Sequence, residues 1–206
     1  MTSPQEQIVG LYERHARAWV ADRQRGAFLE RSWLERFVRL LPRGAAVLDI
    51  GCGAGTPIGS YLLDAGCRVT GIDSSPTMIE LCRARHANFE AQSEWLVADM
   101  RSLALGRAFQ GIVAWDSFFH LARDDQRRMF AIFRSHAAER APLLFTSGPG
   151  DGEAIGSYAG EPLYHASLAA GEYRSLLHDH GFAVCEHVAE DPQCGRHTVW
   201  LAQRES

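Results

Sequence analysis

The chain has 206 residues, 46% apolar and 22% charged, with a formal charge of −4 and a pI near 6.1. This suits one domain with a sizeable core and supplies no overall basic field for a polyanionic partner. All 21 basic residues are arginine, which excludes a Walker-type lysine and any lysine imine. The five cysteines, at 52, 67, 82, 185 and 194, form no C-x-x-C pair and no even disulfide framework. No charged-then-apolar leader opens the chain and no apolar run reaches the roughly 20 residues that span a bilayer, so a soluble protein of the reducing cytoplasm is expected.

Residues 5–41 carry apolar positions at 8, 11, 12, 19, 28, 33, 34, 37, 38, 40 and 41 with charge between them, which predicts two or three amphipathic helices. Pro42-Arg43-Gly44 punctuates the entry to a buried strand around Val47, Leu48 and Ile50, and a helix is expected from 58. Further strands are expected near 69–73, 95–99, 111–115 and 143–146, with helices over 75–85, 126–138 and 167–180. A Gly-rich stretch covers 147–153, and late strands are expected at 182–190 and 197–203. The alternation predicts an α/β fold, a doubly wound sheet with helices on both faces. We expect a single domain over 1–206, with residues 1–41 as a helical cap and 148–166 as a lid-like insertion. Ligands of such sheets bind outside the carboxyl ends of the strands, which is where the cap and the insertion are left over to form a roof.

The densest signal is Val47-Leu-Asp-Ile-Gly-Cys-Gly-Ala-Gly55. Three alternate glycines directly after a buried strand present bare N–H groups, with no Cβ to hold a ligand away. A dinucleotide site favours G-x-G-x-x-G/A, but here the small residue falls at Gly55 and Thr56 follows it. Asp49, inside the strand, would repel a pyrophosphate, yet it can accept hydrogen bonds from an ammonium group or from turn amides.

This segment resembles the first motif of the class I S-adenosylmethionine-dependent methyltransferases. Three later segments resemble that family's motifs in order: Val69-Thr-Gly-Ile-Asp73-Ser74, Trp95-Leu-Val-Ala-Asp99-Met100, and Gly111-Ile-Val-Ala-Trp115-Asp116 followed by Ser-Phe-Phe119-His120. The resemblance covers residues 45–148 by motif and the remainder by topology. It implies a Rossmann-like seven-stranded sheet of order 3-2-1-4-5-7-6 with the last strand antiparallel. It also implies S-adenosylmethionine as cofactor, S-adenosylhomocysteine as product, and no metal. By the same resemblance Asp49, Gly51, Cys52, Gly53 and Gly55 form the cofactor turn. Asp73, with Ser74, binds the ribose hydroxyls, and Asp99 takes the adenine amino group while the Met100 N–H meets the ring. Trp115 and Asp116 begin the loop that faces the methyl group.

Methyl transfer from a sulfonium is a direct displacement, so positioning the nucleophile about 3 Å from the methyl carbon is the main catalytic need. A base helps only where the acceptor must lose a proton, and His120 and His165 are the best-placed imidazoles. Tyr12, Trp19, Phe119 and Tyr164 are candidates for contact with substrate. The expected acceptor is an oxygen or nitrogen of a small molecule, handled by a monomer or homodimer, with no nucleic-acid or membrane partner. Two readings compete: a non-catalytic module that binds S-adenosylmethionine or its product, and a nucleic-acid or protein methyltransferase. The latter would use an open basic face, for which the arginines at 123, 127, 128 and 134 are the only run, and Asp116-Ser-Phe-Phe stands where amino-methylating enzymes of nucleic acids often carry Asn/Asp-Pro-Pro-Tyr. A NAD-type reductase with a Tyr-x-x-x-Lys donor is incompatible with a lysine-free chain. Cys185, His187, Cys194 and His197 form a C-x-H-x₆-C-x₂-H cluster without the knuckle that brings two thiolates together, and they read as residues of two strands.

Overall fold

The computed structural model describes residues 4–206, so the first three residues of the expected cap lie outside it. Two helices open the chain, α1 (Pro4–Arg25) and α2 (Arg31–Arg39). The alternating part follows: β1 (Ala46–Ile50), α3 (Ile58–Asp64), β2 (Arg68–Asp73), α4 (Pro76–Arg85), β3 (Ser93–Val97), β4 (Gly111–Ala114), α5 (Arg123–His136) and β5 (Pro142–Ser147). Then come β6 (Gly152–Tyr158), β7 (Glu161–Ser167), α6 (Ala170–Asp179), β8 (Phe182–Asp191) and β9 (His197–Arg204).

The main sheet has the order β3-β2-β1-β4-β5-β9-β8. The first five strands pair in parallel, and β9 enters antiparallel between β5 and β8. With the separate β6–β7 pair set aside, this is the expected order 3-2-1-4-5-7-6. The register also explains the near-continuous apolar strands, since alternate side chains serve two cores. Leu48, Ile112, Phe145 and Trp200 face α5 and α6 through Phe130, Phe133 and Tyr173. Val47, Val113, Leu144 and Leu201 face α2, α3 and α4 through Trp33, Phe37, Leu62 and Ile79. Truncating a side chain such as Phe130 or Trp33, both fully buried, would cost about 3–5 kcal/mol.

Local chemistry sets the element ends near the ligand edge. Ser75 caps α4 by accepting from the Met78 N–H (3.1 Å), with Pro76 at the first helical position. Asp124 and Asp125 lie in the first turn of α5, where the helix dipole favours them, and α5 begins three residues earlier than its apolar period indicates.

The insertion at 148–166 departs from its expected form. Residues 152–167 build a two-stranded antiparallel ribbon in which Tyr158 pairs with Glu161 across a two-residue turn. Ala159 (φ 51°) and Gly160 (φ 81°) both adopt the positive φ that a tight hairpin turn requires. The ribbon consumes the residues where the next helix was expected to start, so α6 begins at 170.

The ribbon and α1 meet over the carboxyl ends of the parallel strands. Ile8 of α1 packs on Tyr164 and Ala166 of β7, and Ala16 packs on Ala54 and Met78. Glu13 ties α1 to the start of α4 by accepting from the Thr77 N–H (3.1 Å), the Thr77 hydroxyl (2.6 Å) and the Ser75 hydroxyl. Those donors hold its carboxyl below the usual range. On the ribbon side, the Tyr158 hydroxyl donates to Asp22 (2.9 Å), and Arg14 and His15 both reach Glu161.

Candidate active site

Beneath α1 lies a cavity of about 340 Å³ bordered by the turns that leave β1, β2, β3 and β4. Gly51, Gly53 and Gly55 have φ of 76°, 54° and 70°, values that favour glycine. At Gly51 a Cβ would stand 2.3 Å from the Cβ of Ser117, whose hydroxyl donates to the Ile50 carbonyl (2.7 Å). The first turn is thus locked against the turn after β4. Asp73 fastens it to the next turn as well, accepting from the Gly53 N–H (3.0 Å) and the Ser75 N–H (2.9 Å).

Asp49 is 2% exposed, and its Oδ2 has no hydrogen-bond partner. Burial pushes its carboxyl up to about 8, helped by nearby Cys82 and Asp73. A buried carboxylate oxygen bordering a cavity is a site waiting for a cationic or hydrogen-bonding guest. Trp115 offers the converse, a buried indole N–H without a partner on the same cavity.

Cys52, Ser74, Asp99 and Met100 also border this cavity. Asp99 is engaged, since both of its oxygens take the Arg101 guanidinium and Oδ1 also accepts the Arg101 N–H (2.9 Å). That arginine holds its carboxyl below the usual range. Gly55 does not line the cavity. A Cβ there would lie 2.5 Å from the Cys82 sulfur and 2.7 Å from His86, so its small size serves the packing of α4 on the turn.

A second chamber, of about 700 Å³, lies under the ribbon and shares Tyr12, Trp19, Asp116 and His120 with the first. Phe119 and His165 line it too. His120 is buried between α1 and β7. Its Nδ1 lies 2.8 Å from the Tyr164 carbonyl, which can only accept, so Nδ1 carries the proton. Nε2 then accepts from the Tyr12 hydroxyl at 2.8 Å. Burial drives the imidazole down to about 4 and the Tyr12 phenol well above its usual value. His165 donates from Nδ1 to the Leu163 carbonyl (3.1 Å), which leaves the lone pair on Nε2, and burial lowers its pKa. Its ring lies 4.8 Å from His120 and 5.2 Å from Phe119.

Tyr164 does not join them. Neighbours on a strand point to opposite faces, and Tyr164 is buried under Ile8 outside both cavities. Tyr164, expected with Tyr12, Trp19 and Phe119 as a substrate contact, thus lies outside both chambers.

His197, read from the sequence as a strand residue of the Cys/His cluster, also lines the second chamber. Its Nε2 lies 3.0 Å from Asp116 Oδ2 and its Nδ1 2.6 Å from the Cys194 carbonyl. With two acceptors facing it, both nitrogens carry protons, and Asp116 together with Cys194 pushes the imidazole up to about 10. A usable signal existed. An antiparallel last strand begins at the edge where its parallel neighbours end, so its first residue belongs at the ligand site. The rest of the Cys/His cluster disperses: Cys185 is exposed, His187 stacks on Trp200 and Cys194 is buried. Among the described residues no three metal-ligating side chains converge.

Residues 47–139, from β1 through α5, match the model of a family described as "Methyltransferase domain". The chain is 31% identical over 170 residues to an O-methyltransferase of Pyrenophora dematioidea, covering 77% of this chain and 62% of that protein. The chain spans less than two thirds of the length of the curated relatives it matches. In fold it is similar to the magnesium protoporphyrin IX methyltransferase of Synechocystis PCC 6803, solved with S-adenosylmethionine. That match has a TM-score of 0.72 at 18% identity and covers 100% of this chain and 99% of that one. It is also similar to the glycopeptide N-methyltransferase MtfA, solved with S-adenosylhomocysteine, with a TM-score of 0.69 at 18% identity and coverage of 84% and 87%. Among the described residues no helix is long and apolar enough to cross a membrane.

Proposed function

We propose that this chain transfers a methyl group from S-adenosylmethionine to an oxygen or nitrogen of a small molecule. The observation that carries the reading is the sharing of Tyr12, Trp19, Asp116 and His120 between two chambers, one bordered by the glycine turn and the other roofed by the ribbon. Bound S-adenosylmethionine supplies an electrophilic methyl group on a cationic sulfur. The partnerless Asp49 oxygen fits the positive end of such a cofactor, and in this reading Asp73 and Ser74 bind the ribose while Asp99 and Met100 bind the adenine. The O-methyltransferase relative favours oxygen as the acceptor atom.

The chain's own residues then have three tasks. The shared boundary places the acceptor against the cofactor, the proximity on which a direct displacement depends. α1 and the β6–β7 ribbon act as the lid that excludes water, which strengthens every electrostatic contact beneath them. His165, neutral at pH 7 with its lone pair on Nε2, takes the proton from an acceptor that must lose one. His120, fixed as the Nδ1–H tautomer, holds the Tyr12 hydroxyl at the boundary.

Two observations speak against a nucleic-acid acceptor. Arg123, Arg127 and Arg128 of α5 are already in ion pairs with Asp151, with Asp124 and Glu172, and with Asp125, and the formal charge is −4.

Calorimetric titration with S-adenosylmethionine, S-adenosylhomocysteine and NADH tests the reading. Binding of the first two that weakens by about 10–100-fold in Asp73→Ala, the loss of one or two charge-assisted hydrogen bonds, supports it. Binding of NADH alone, or of none, overturns it.

A further inference from the structure

His197 has no part in the transfer described so far, yet it pairs with Asp116 on the wall of the acceptor chamber, and both are held from several sides. Asp116 sits at φ 47°, an uncommon conformation for a non-glycine residue. Thr146 holds it there, accepting from the Asp116 N–H (2.8 Å) and donating its hydroxyl to Oδ1 (3.3 Å). From the other side, the Trp33 indole N–H donates to Asp191 (2.8 Å), and Asp191 caps the turn through the Gln193 N–H (2.9 Å). That turn presents the Cys194 carbonyl to His197 Nδ1. The Asp116 and His197 side chains are 29% and 28% exposed, and both border the chamber.

Resting on the methyltransferase reading above, we propose that Asp116 anchors the methyl acceptor and that His197 is the positioning residue that holds its carboxylate oriented. The pair selects acceptors that present an O–H or N–H and carry no negative charge. Each carboxylate oxygen can accept about two hydrogen bonds, and Thr146 and His197 take one from each, so acceptor capacity remains where the chambers meet. An incoming group must therefore donate. An anion there would face Asp116, with Asp151 and Glu153 on the same chamber wall. The nearby cations are committed, His197 to Asp116, Arg196 to Glu190 and Arg123 to Asp151. Like charges brought together in a partly closed chamber discriminate more strongly than in water.

The test uses the intact chain, methyl-labelled S-adenosylmethionine and three matched catechols: neutral 4-methylcatechol, cationic dopamine and anionic 3,4-dihydroxybenzoate. S-Adenosylhomocysteine binding is measured in parallel. The neutral and cationic catechols are expected to take label at least about tenfold faster than the anionic one, with Asp116→Asn narrowing the gap below about threefold. His197→Ala is expected to raise the KM of the best catechol by about tenfold without changing S-adenosylhomocysteine affinity. His197→Gln, whose amide can still donate to Asp116, recovers most of that loss. With S-adenosylhomocysteine still bound, any of four results overturns the proposal: equal or preferred labelling of the anion, no labelling of any catechol, a gap that survives Asp116→Asn, or an unchanged KM in His197→Ala. Failure of the wild-type chain to bind S-adenosylhomocysteine removes the methyltransferase reading itself and this inference with it.

Discussion

The two chambers under α1 are built by opposite means. The cofactor side is built around the turns that directly follow β1 to β4, and those turn residues lie within a few positions of the strands that aim them. The acceptor side gathers residues from five places: α1, residues 116–120, the turn at 147–151, the ribbon, and the approach to β9. A site formed by local backbone depends on glycine conformation and fails abruptly when that is disturbed. A site assembled from distant side chains depends on registers and pairings, and it yields by degrees.

The largest effect that would break this contrast is expected at Gly51. Gly51→Ala places a Cβ at φ 76° and 2.3 Å from the Cβ of Ser117. The left-handed conformation costs about 1–2 kcal/mol, and the overlap adds about 1–3 kcal/mol. Loss of S-adenosylhomocysteine binding by roughly 100-fold or more is expected, together with a clear fall in Tm. A Gly51→Ala protein that binds the ligand normally would show that the turn is not the cofactor cradle.

This contrast also decides what could be read before the fold was known. The placement of Asp49, Asp73 and Asp99 at one edge was legible, because buried strands, glycine turns and an acidic residue at a strand end are local patterns, and the strand order came with the family resemblance that those patterns carry. The ribbon was not, since its β6 strand is almost wholly exposed and carries no apolar alternation for a core to impose. The burial of Tyr164 beside a chamber-lining His165 was hidden for the same reason, because without the ribbon no strand alternation assigned the two to opposite faces. His197 was hidden differently. Its partner Asp116 lies 81 residues away, and only the reversed direction of β9 brings the two together.

An intermediate effect comes from the imidazoles of His120 and His197, which sharpen the comparison through pH. His120 has its pKa driven from 6.5 to about 4 by burial, so the unfolded chain takes up the proton first. Stability is intact above pH 6.5 and lost as the pH falls through 4, by about 3 kcal/mol in all. His197 is raised from 6.5 to about 10, so its contribution is full below pH 6.5 and lost as the pH rises through 10. Profiles of Tm against pH for His120→Gln and His197→Gln should each differ from wild type in slope on one limb, acid for the first and alkaline for the second. Subtracting wild type isolates each imidazole from Asp49, whose raised pKa costs stability as the pH climbs from about 4 toward 8. An unchanged acid limb in His120→Gln would mean that the residue is not buried as a neutral imidazole.

The smallest effect is expected where the lid's two halves meet. Arg14 and His15 of α1 both reach Glu161 at the turn of the ribbon, and the arginine holds the Glu161 carboxyl down to about 2. The low value suggests a strong latch, but the Arg14 and Glu161 side chains are 54% and 36% exposed. Water and salt screen such a pair, and ordering two long side chains offsets most of its attraction. The packing of α1 on the ribbon therefore rests on Ile8 against Tyr164 and Ala166, which are buried. Arg14→Ala should leave Tm and S-adenosylhomocysteine affinity within error at 0.15 M salt. Ile8→Ala should expose the ribbon amides to faster hydrogen exchange, because it removes apolar contact from a small cluster. If Arg14→Ala instead loosens the ribbon as much as Ile8→Ala does, the ion pair is the latch, and the acceptor side would have a single charged fastening in place of the distributed one that its packing indicates.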